Sequence, residues 1–97
     1  MLKIESYILL NSDIENLPEI IDPNATIITY GLNPRATITA SSIGEEEAFL
    51  CVQRSFENAR GEEVVPQEIS VKMGGRDRDI AEVLCEGAIS LITGSAF

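Results

Sequence analysis

Residues 25–43 read ATIITYGLNPRATITASSI, and the fold turns on the change of pattern inside them. Ala25 to Tyr30 is an apolar, β-branched run that predicts a buried strand, and Gly31-Leu32-Asn33-Pro34 predicts a turn. From Arg35 onward the residues alternate. Ala36, Ile38 and Ala40 share one parity and Thr37, Thr39 and Ser41 the other, the period of a strand with one face turned inward. The stretch is a seam between a buried part of the chain and a half-exposed one.

Upstream of the seam, Leu2 to Leu10 alternates at first and is continuously apolar from Tyr7 to Leu10, which predicts one strand buried on both faces. Ser12 with Glu15 reads as a capping box that opens a short helix, with Ile14, Leu17 and Ile21 on one stripe. Pro18 lacks an amide donor, so the helix is expected as one kinked or two very short turns before the stop at Asp22-Pro23-Asn24. The expected unit is β-α-β, with a right-handed parallel crossover as the default.

Downstream, two strands between Arg35 and Phe56 flank the tip Gly44-Glu45-Glu46-Glu47, and Val64 to Met73 supplies a third after a loop in which Asn58 and Gly61 are natural turn residues. The expected inward face takes Ala36, Ile38, Ala40, Leu50, Val52, Val65, Ile69, Val71 and Met73. Pro66 implies that the third strand starts late or lies at an edge. A final helix opens at Asp77 or Asp79, with Asp79 and Glu82 as a D-x-x-E cap. Ile80, Val83, Leu84, Gly87, Ala88, Leu91 and Ile92 fall on one stripe, and Gly94 stops the helix. Small Gly87 and Ala88 let it approach a sheet closely.

The 97 residues suffice for one domain, 1–97, with a small core. Hydrophobic content of 44% and charged content of 24% fit a globular chain and argue against disorder. Sixteen acidic against seven basic residues give a net charge of −9, which repels nucleic acid and anionic membranes, so neither is expected as a partner. With no histidine, Ser-His and Cys-His nucleophile systems are excluded within the chain. Cys51 and Cys85 lack CxxC spacing and read as reduced, buried thiols of a cytoplasmic protein. No signal peptide and no run long enough to span a bilayer is visible.

Few residues carry chemistry. Gly74-Gly75 running into a helix start, with Arg76 and Arg78, would suit an anion, yet Asp77 and Asp79 occupy the same place and cap the amides, and GxxxxGK[ST] is absent. Glu45-Glu46-Glu47 reads as a solvated hairpin tip rather than a cation site. Thr37, Thr39 and Ser41 would line a polar groove, but threonine on an outward strand face needs no ligand to explain it. Tyr30, Asn33 and Arg35, around the turn, rank first as ligand-binding candidates, followed by Arg76 and Arg78. No complete catalytic constellation is present, and the sequence implies no cofactor and no metal.

Taken together, these segments resemble the later half of the central domain of Mur ligases, the ATP-dependent amide ligases of peptidoglycan precursor synthesis, and of the related folylpolyglutamate synthetases. LLNSDIENLPEII resembles their strand ending in Asn-x-Asp, at Asn11 and Asp13, followed by a short helix. IITYGLNPRATITASS, residues 27–42, resembles the strand with a Tyr/Phe-Gly end and the start of a small antiparallel sheet. Met73 to Leu91 resembles the Gly-x-His-Asn helix that follows.

Departures from the pattern bear on activity. The family holds nucleotide phosphates on an upstream Gly-rich P-loop, which has no counterpart here, and Arg78-Asp79 stands in place of its His-Asn. The lysine and histidine that help hold the family's magnesium ions are also without counterparts. The resemblance implies a non-catalytic remnant, a truncated chain or one piece of a split protein. The expected fold is α/β, of α+β mixed character: a β-α-β unit, then a three-stranded antiparallel meander and a C-terminal amphipathic helix. The expected function is binding or protein interaction, as a homo-oligomer or with a protein partner. The alternative is a fragment or split subunit of an amide ligase that needs a P-loop partner.

Overall fold

A computed structural model describes residues 2–4, 6–14, 24–73 and 79–94. It is a mixed α+β fold with, among the described residues, one six-stranded mixed sheet, a two-stranded hairpin beside it, and one helix across the sheet.

The first expected strand is two strands. β1 (Leu2–Ile4) runs antiparallel to β2 (Tyr7–Asn11), with Ile4 paired to Tyr7, so the chain reverses at Ser6. The break falls where alternation gives way to the continuous apolar run. All five residues of β2 are buried, as a strand covered on both faces requires. β3 (Thr26–Tyr30) lies parallel to β2 along its whole length, from Tyr7 opposite Thr26 to Asn11 opposite Tyr30. The connection between them begins as a turn, closed by Ile14 N–H donating to the Asn11 carbonyl at 3.2 Å. Residues 12–14 are not helical, and Ile14 is 81% exposed rather than on a buried stripe. Glu15, Leu17, Pro18 and Ile21 lie outside the described residues.

β4 (Ile38–Ile43) is also parallel to its neighbour β3, yet only seven residues separate the two strands. Parallel neighbours that overlap need a crossover of a dozen or more residues. Here the sole paired position is Tyr30 opposite Ile38. The chain therefore sidesteps: β4 starts where β3 ends and carries the sheet onward. This is the physical content of the seam at Gly31 to Thr37.

Beyond it, β5 (Glu47–Val52) pairs antiparallel with β4, and β8 (Gln67–Lys72) antiparallel with β5. A bulge at Ser41 interrupts the β4–β5 register between Ala40 and Ser42. Between β5 and β8 the chain makes a small separate hairpin, β6 (Phe56–Glu57) with β7 (Glu63–Val64), rather than a plain loop. Asn58 is its keystone: buried, its side-chain oxygen accepts from the Arg60 and Glu62 amides, both at 3.0 Å, while Gly61 supplies the positive φ of 78°. Val64 belongs to this hairpin and Val65 is 49% exposed, contrary to the expected inward face, because Pro66 separates both from β8.

The helix α1 (Ile80–Thr93) starts at Asp79, whose carboxylate accepts from the Ala81 amide at 3.0 Å. It ends at Gly94, left-handed at φ 75°. Val83, Leu84, Gly87, Ala88 and Ile92 are buried, and the core they share with the sheet includes Leu9, Ile28, Ile38, Leu50 and Val52. Ala48 and Ala88 have no exposed surface, so the helix sits close to the sheet. The hairpin is tied in from both sides: Tyr7 hydroxyl donates to the Glu57 carbonyl, and the Ala59 amide to the Ile92 carbonyl at the helix end. Among the described residues no helix is long and apolar enough to cross a membrane.

Candidate functional site

Polar side chains converge at the seam, where the C-terminal ends of β2 and β3 meet the turn into β4. Tyr30 is the meeting point. It pairs with Asn11 on one side and Ile38 on the other, and its carbonyl accepts from the Ser12 amide at 2.8 Å and the Ser12 hydroxyl at 3.2 Å.

Asn11 shapes the turn that follows β2, its side-chain oxygen accepting from the Asp13 amide at 3.0 Å, as an Asx turn does. That turn aims the Asp13 carboxylate across twenty residues of sequence at the Gly31–Asn33 turn. One oxygen accepts from the Leu32 amide at 2.7 Å and the other from the Asn33 side-chain nitrogen at 2.8 Å. The same nitrogen donates to the Ser12 hydroxyl at 2.8 Å, while the Asn33 side-chain oxygen accepts from the Arg35 amide at 3.0 Å. The hydrogen bond from Asn33, and after it that from Leu32, hold the Asp13 carboxyl below its usual value, against a small opposing effect of burial. Gly31 is required by space: a Cβ there would stand 2.8 Å from the Asp13 carboxylate oxygen that accepts from Asn33, in a carboxylate whose other oxygen is held by the Leu32 amide.

A second set of contacts closes the turn from the β5 side. Gln53 donates through its side chain to the Ala36 carbonyl at 2.6 Å and through its amide to the Thr37 carbonyl at 2.7 Å. Arg54 donates to the Arg35 carbonyl at 2.5 Å. Where β3 and β4 are too far displaced for a main-chain ladder, the Thr29 hydroxyl accepts from the Thr37 amide at 3.0 Å.

Of the sequence candidates, Tyr30, Asn33 and Arg35 are brought together in a hydrogen-bonded clamp, Tyr30 and Arg35 through main-chain atoms and Asn33 through its side chain. Arg76 and Arg78, with the Gly74-Gly75 turn, lie outside the described residues. The hydroxyl row does not form one groove. Thr37 is buried in the seam, Thr39 is half-buried, and Ser41 sits in the bulge with its hydroxyl on the Phe49 carbonyl at 3.3 Å. Sequence reasoning missed Ser12, Asp13, Gln53 and Arg54 as partners of this turn. The Asn-x-Asp pattern at Asn11 and Asp13 was the one signal, and a capping role for Ser12 obscured it.

Elsewhere, an open hollow of about 320 Å³ is lined by Ser55, Phe56, Glu57, Gly61 and Glu63 on the β6–β7 hairpin. Glu45 and Glu46 are exposed at the β4–β5 tip, and Glu47 accepts from the Ser70 hydroxyl at 2.8 Å. Among the described residues no group of His, Cys, Asp or Glu is arranged to hold a metal ion. Cys51 and Cys85 are half-buried free thiols. No protein-family model, no curated protein and no solved structure matches this chain.

Proposed function

We propose that this chain is a Mur-ligase-like module that does no catalysis of its own and acts in the cytoplasm by binding or protein interaction. The observation that carries the reading is the closed circuit at the seam. The Asp13 carboxylate, the acidic group at the strand ends where a general base would be sought, is engaged by Leu32 and Asn33 and has a lowered pKa. A base held ionised by two donors is a poor proton acceptor at neutral pH. The residues that carry the family resemblance, Asn11 and Asp13 on one side and Tyr30-Gly31 on the other, serve here to join strands. In this reading the connection from β2 to β3 carries the short helix expected from the sequence, completing a β-α-β unit, and β4, β5 and β8 are the antiparallel sheet that follows it.

The test is enzymatic. Purified protein is assayed for ATP hydrolysis and for ligation of an amino acid to a nucleotide-linked acceptor. No turnover above the spontaneous rate is expected, and enzyme-like turnover sinks the reading.

A second reading is a fragment or split subunit of an ATP-dependent amide ligase of cell-wall precursor synthesis. It draws on the sheet ends: among the described residues the sheet stops at β1 and β8, which leaves edges that a P-loop partner's strands would join. Stoichiometric co-purification of a P-loop protein from the native host favours this reading over the first.

A further inference from the structure

The outer edge of β8 is complementary to itself. The Met73 amide donates to the Glu46 carbonyl at 2.7 Å, which sets the phase of the β5–β8 ladder. In an antiparallel pair, bonded and non-bonded positions alternate. Val71, Ile69 and Gln67 therefore exchange bonds with β5, and the main-chain groups of Glu68, Ser70 and Lys72 point away from the sheet. These three residues are exposed, and among the described residues β8 is the last strand in the sheet order.

We infer that two copies of this chain join antiparallel through β8, on a two-fold axis at Ser70, forming one continuous sheet. In that register Ser70 pairs with Ser70 of the partner subunit, and Glu68 stands opposite Lys72 of the partner subunit, twice by symmetry. Each of these pairs exchanges main-chain bonds. On the helix side, half-buried Ile69 meets Val71 of the partner subunit, which covers apolar surface that the monomer leaves partly open.

Other registers are worse. A shift of two residues in one direction brings Pro66, which has no N–H, into the new ladder and leaves both charges unmatched. A shift of four sets Glu68 against Glu68 or Lys72 against Lys72. The net charge of −9 opposes association at long range, but physiological salt screens it beyond roughly 8 Å. The opposed Glu–Lys pairs lie well inside that distance.

The proposal names a partner for the interaction reading above and rests on it. ATP turnover by a dimer would end that reading and leave the dimer standing, whereas a monomer without turnover would end only the dimer. The experiment is sedimentation equilibrium of the whole chain at physiological ionic strength, with circular dichroism to confirm that each exposed-site variant is folded.

Wild type is expected as a dimer. Glu68→Lys and Lys72→Glu should each weaken it by about tenfold or more, because both symmetric pairs change from attraction to repulsion. Mixing the two variants should restore a dimer, since a chain with lysine at both positions matches one with glutamate at both. The double variant E68K/K72E should likewise restore a homodimer. A monomeric wild type, a mass beyond two chains, or a dimer indifferent to these swaps overturns the proposal.

Discussion

Asp13 shows how much one side chain decides. It is exposed, yet it ties the end of β2 to both the Leu32 amide and the Asn33 side chain, alongside the Ser12 hydroxyl that Asn33 also reaches. Its folded pKa is lowered, so its contribution to stability is complete above the ordinary carboxylate value of 3.8 and disappears as pH falls through the lower folded value. Asp13→Asn removes the titration while keeping the shape. Urea unfolding midpoints are expected to favour wild type at neutral pH, with the gap to the variant closing toward acid. A gap that stays constant across the carboxylate range would show that Asp13 does not act through its charge. This residue was only half legible in the sequence. The Asn-x-Asp pattern marks a turn, but its partner Asn33 is twenty positions away, and nothing in local spacing specifies which distant amide a carboxylate will accept from.

At the scale of elements, the helix is the best-specified part. Its Asp79 cap, its stripe and its glycine stop all depend on residues within a few positions of one another and lie where the sequence puts them, with Val83, Leu84, Gly87, Ala88 and Ile92 buried and Ile80 and Leu91 of the same stripe half-buried. Asp79→Ala removes the acceptor for the Ala81 amide and should cost about 1 kcal/mol. For a chain of this size that lowers the melting temperature by roughly 4–8 °C, measurable by circular dichroism. An unchanged melting temperature would mean that the first turn is held by packing alone. The strands were less well specified. The alternation of β5 was readable, with Ala48, Leu50 and Val52 buried and Glu47 and Phe49 outward. The separation of β1 from β2 and the interposed β6–β7 hairpin were not, because a reversal at Ser6 and a pairing of Phe56 with Val64 are matters of which strand finds which.

At the scale of the whole molecule, the main hydrophobic cluster among the described residues lies between the helix and one face of the sheet. Leu50 lies at its centre with no exposed surface. Leu50→Ala is expected to cost about 2–5 kcal/mol. Stability at this length is only about 5–15 kcal/mol, so the variant should unfold at a clearly lower urea concentration with an unchanged slope. A loss below about 1 kcal/mol would mean that the core collapses to refill the space.

The sidestep from β3 to β4 joins the parallel pair β2–β3 to the antiparallel strands β4, β5 and β8, and the helix core takes residues from both parts.

What the amino-acid sequence determined by itself is local: the apolar run of β2, the turn chemistry at Gly31 to Pro34, the alternation of β5, and the capped C-terminal helix. These follow from periodicity, backbone preference and hydrogen bonds between near neighbours. Only the tertiary structure decided that Ser12 and Asp13 clamp the Asn33 turn, that Gln53 and Arg54 hold its carbonyls, and that among the described residues β8 is the last strand of the sheet, with Glu68 and Lys72 exposed on it. The reason is physical. A short polar side chain has many acceptable partners, and which one it meets is set by the packing of strands distant in sequence.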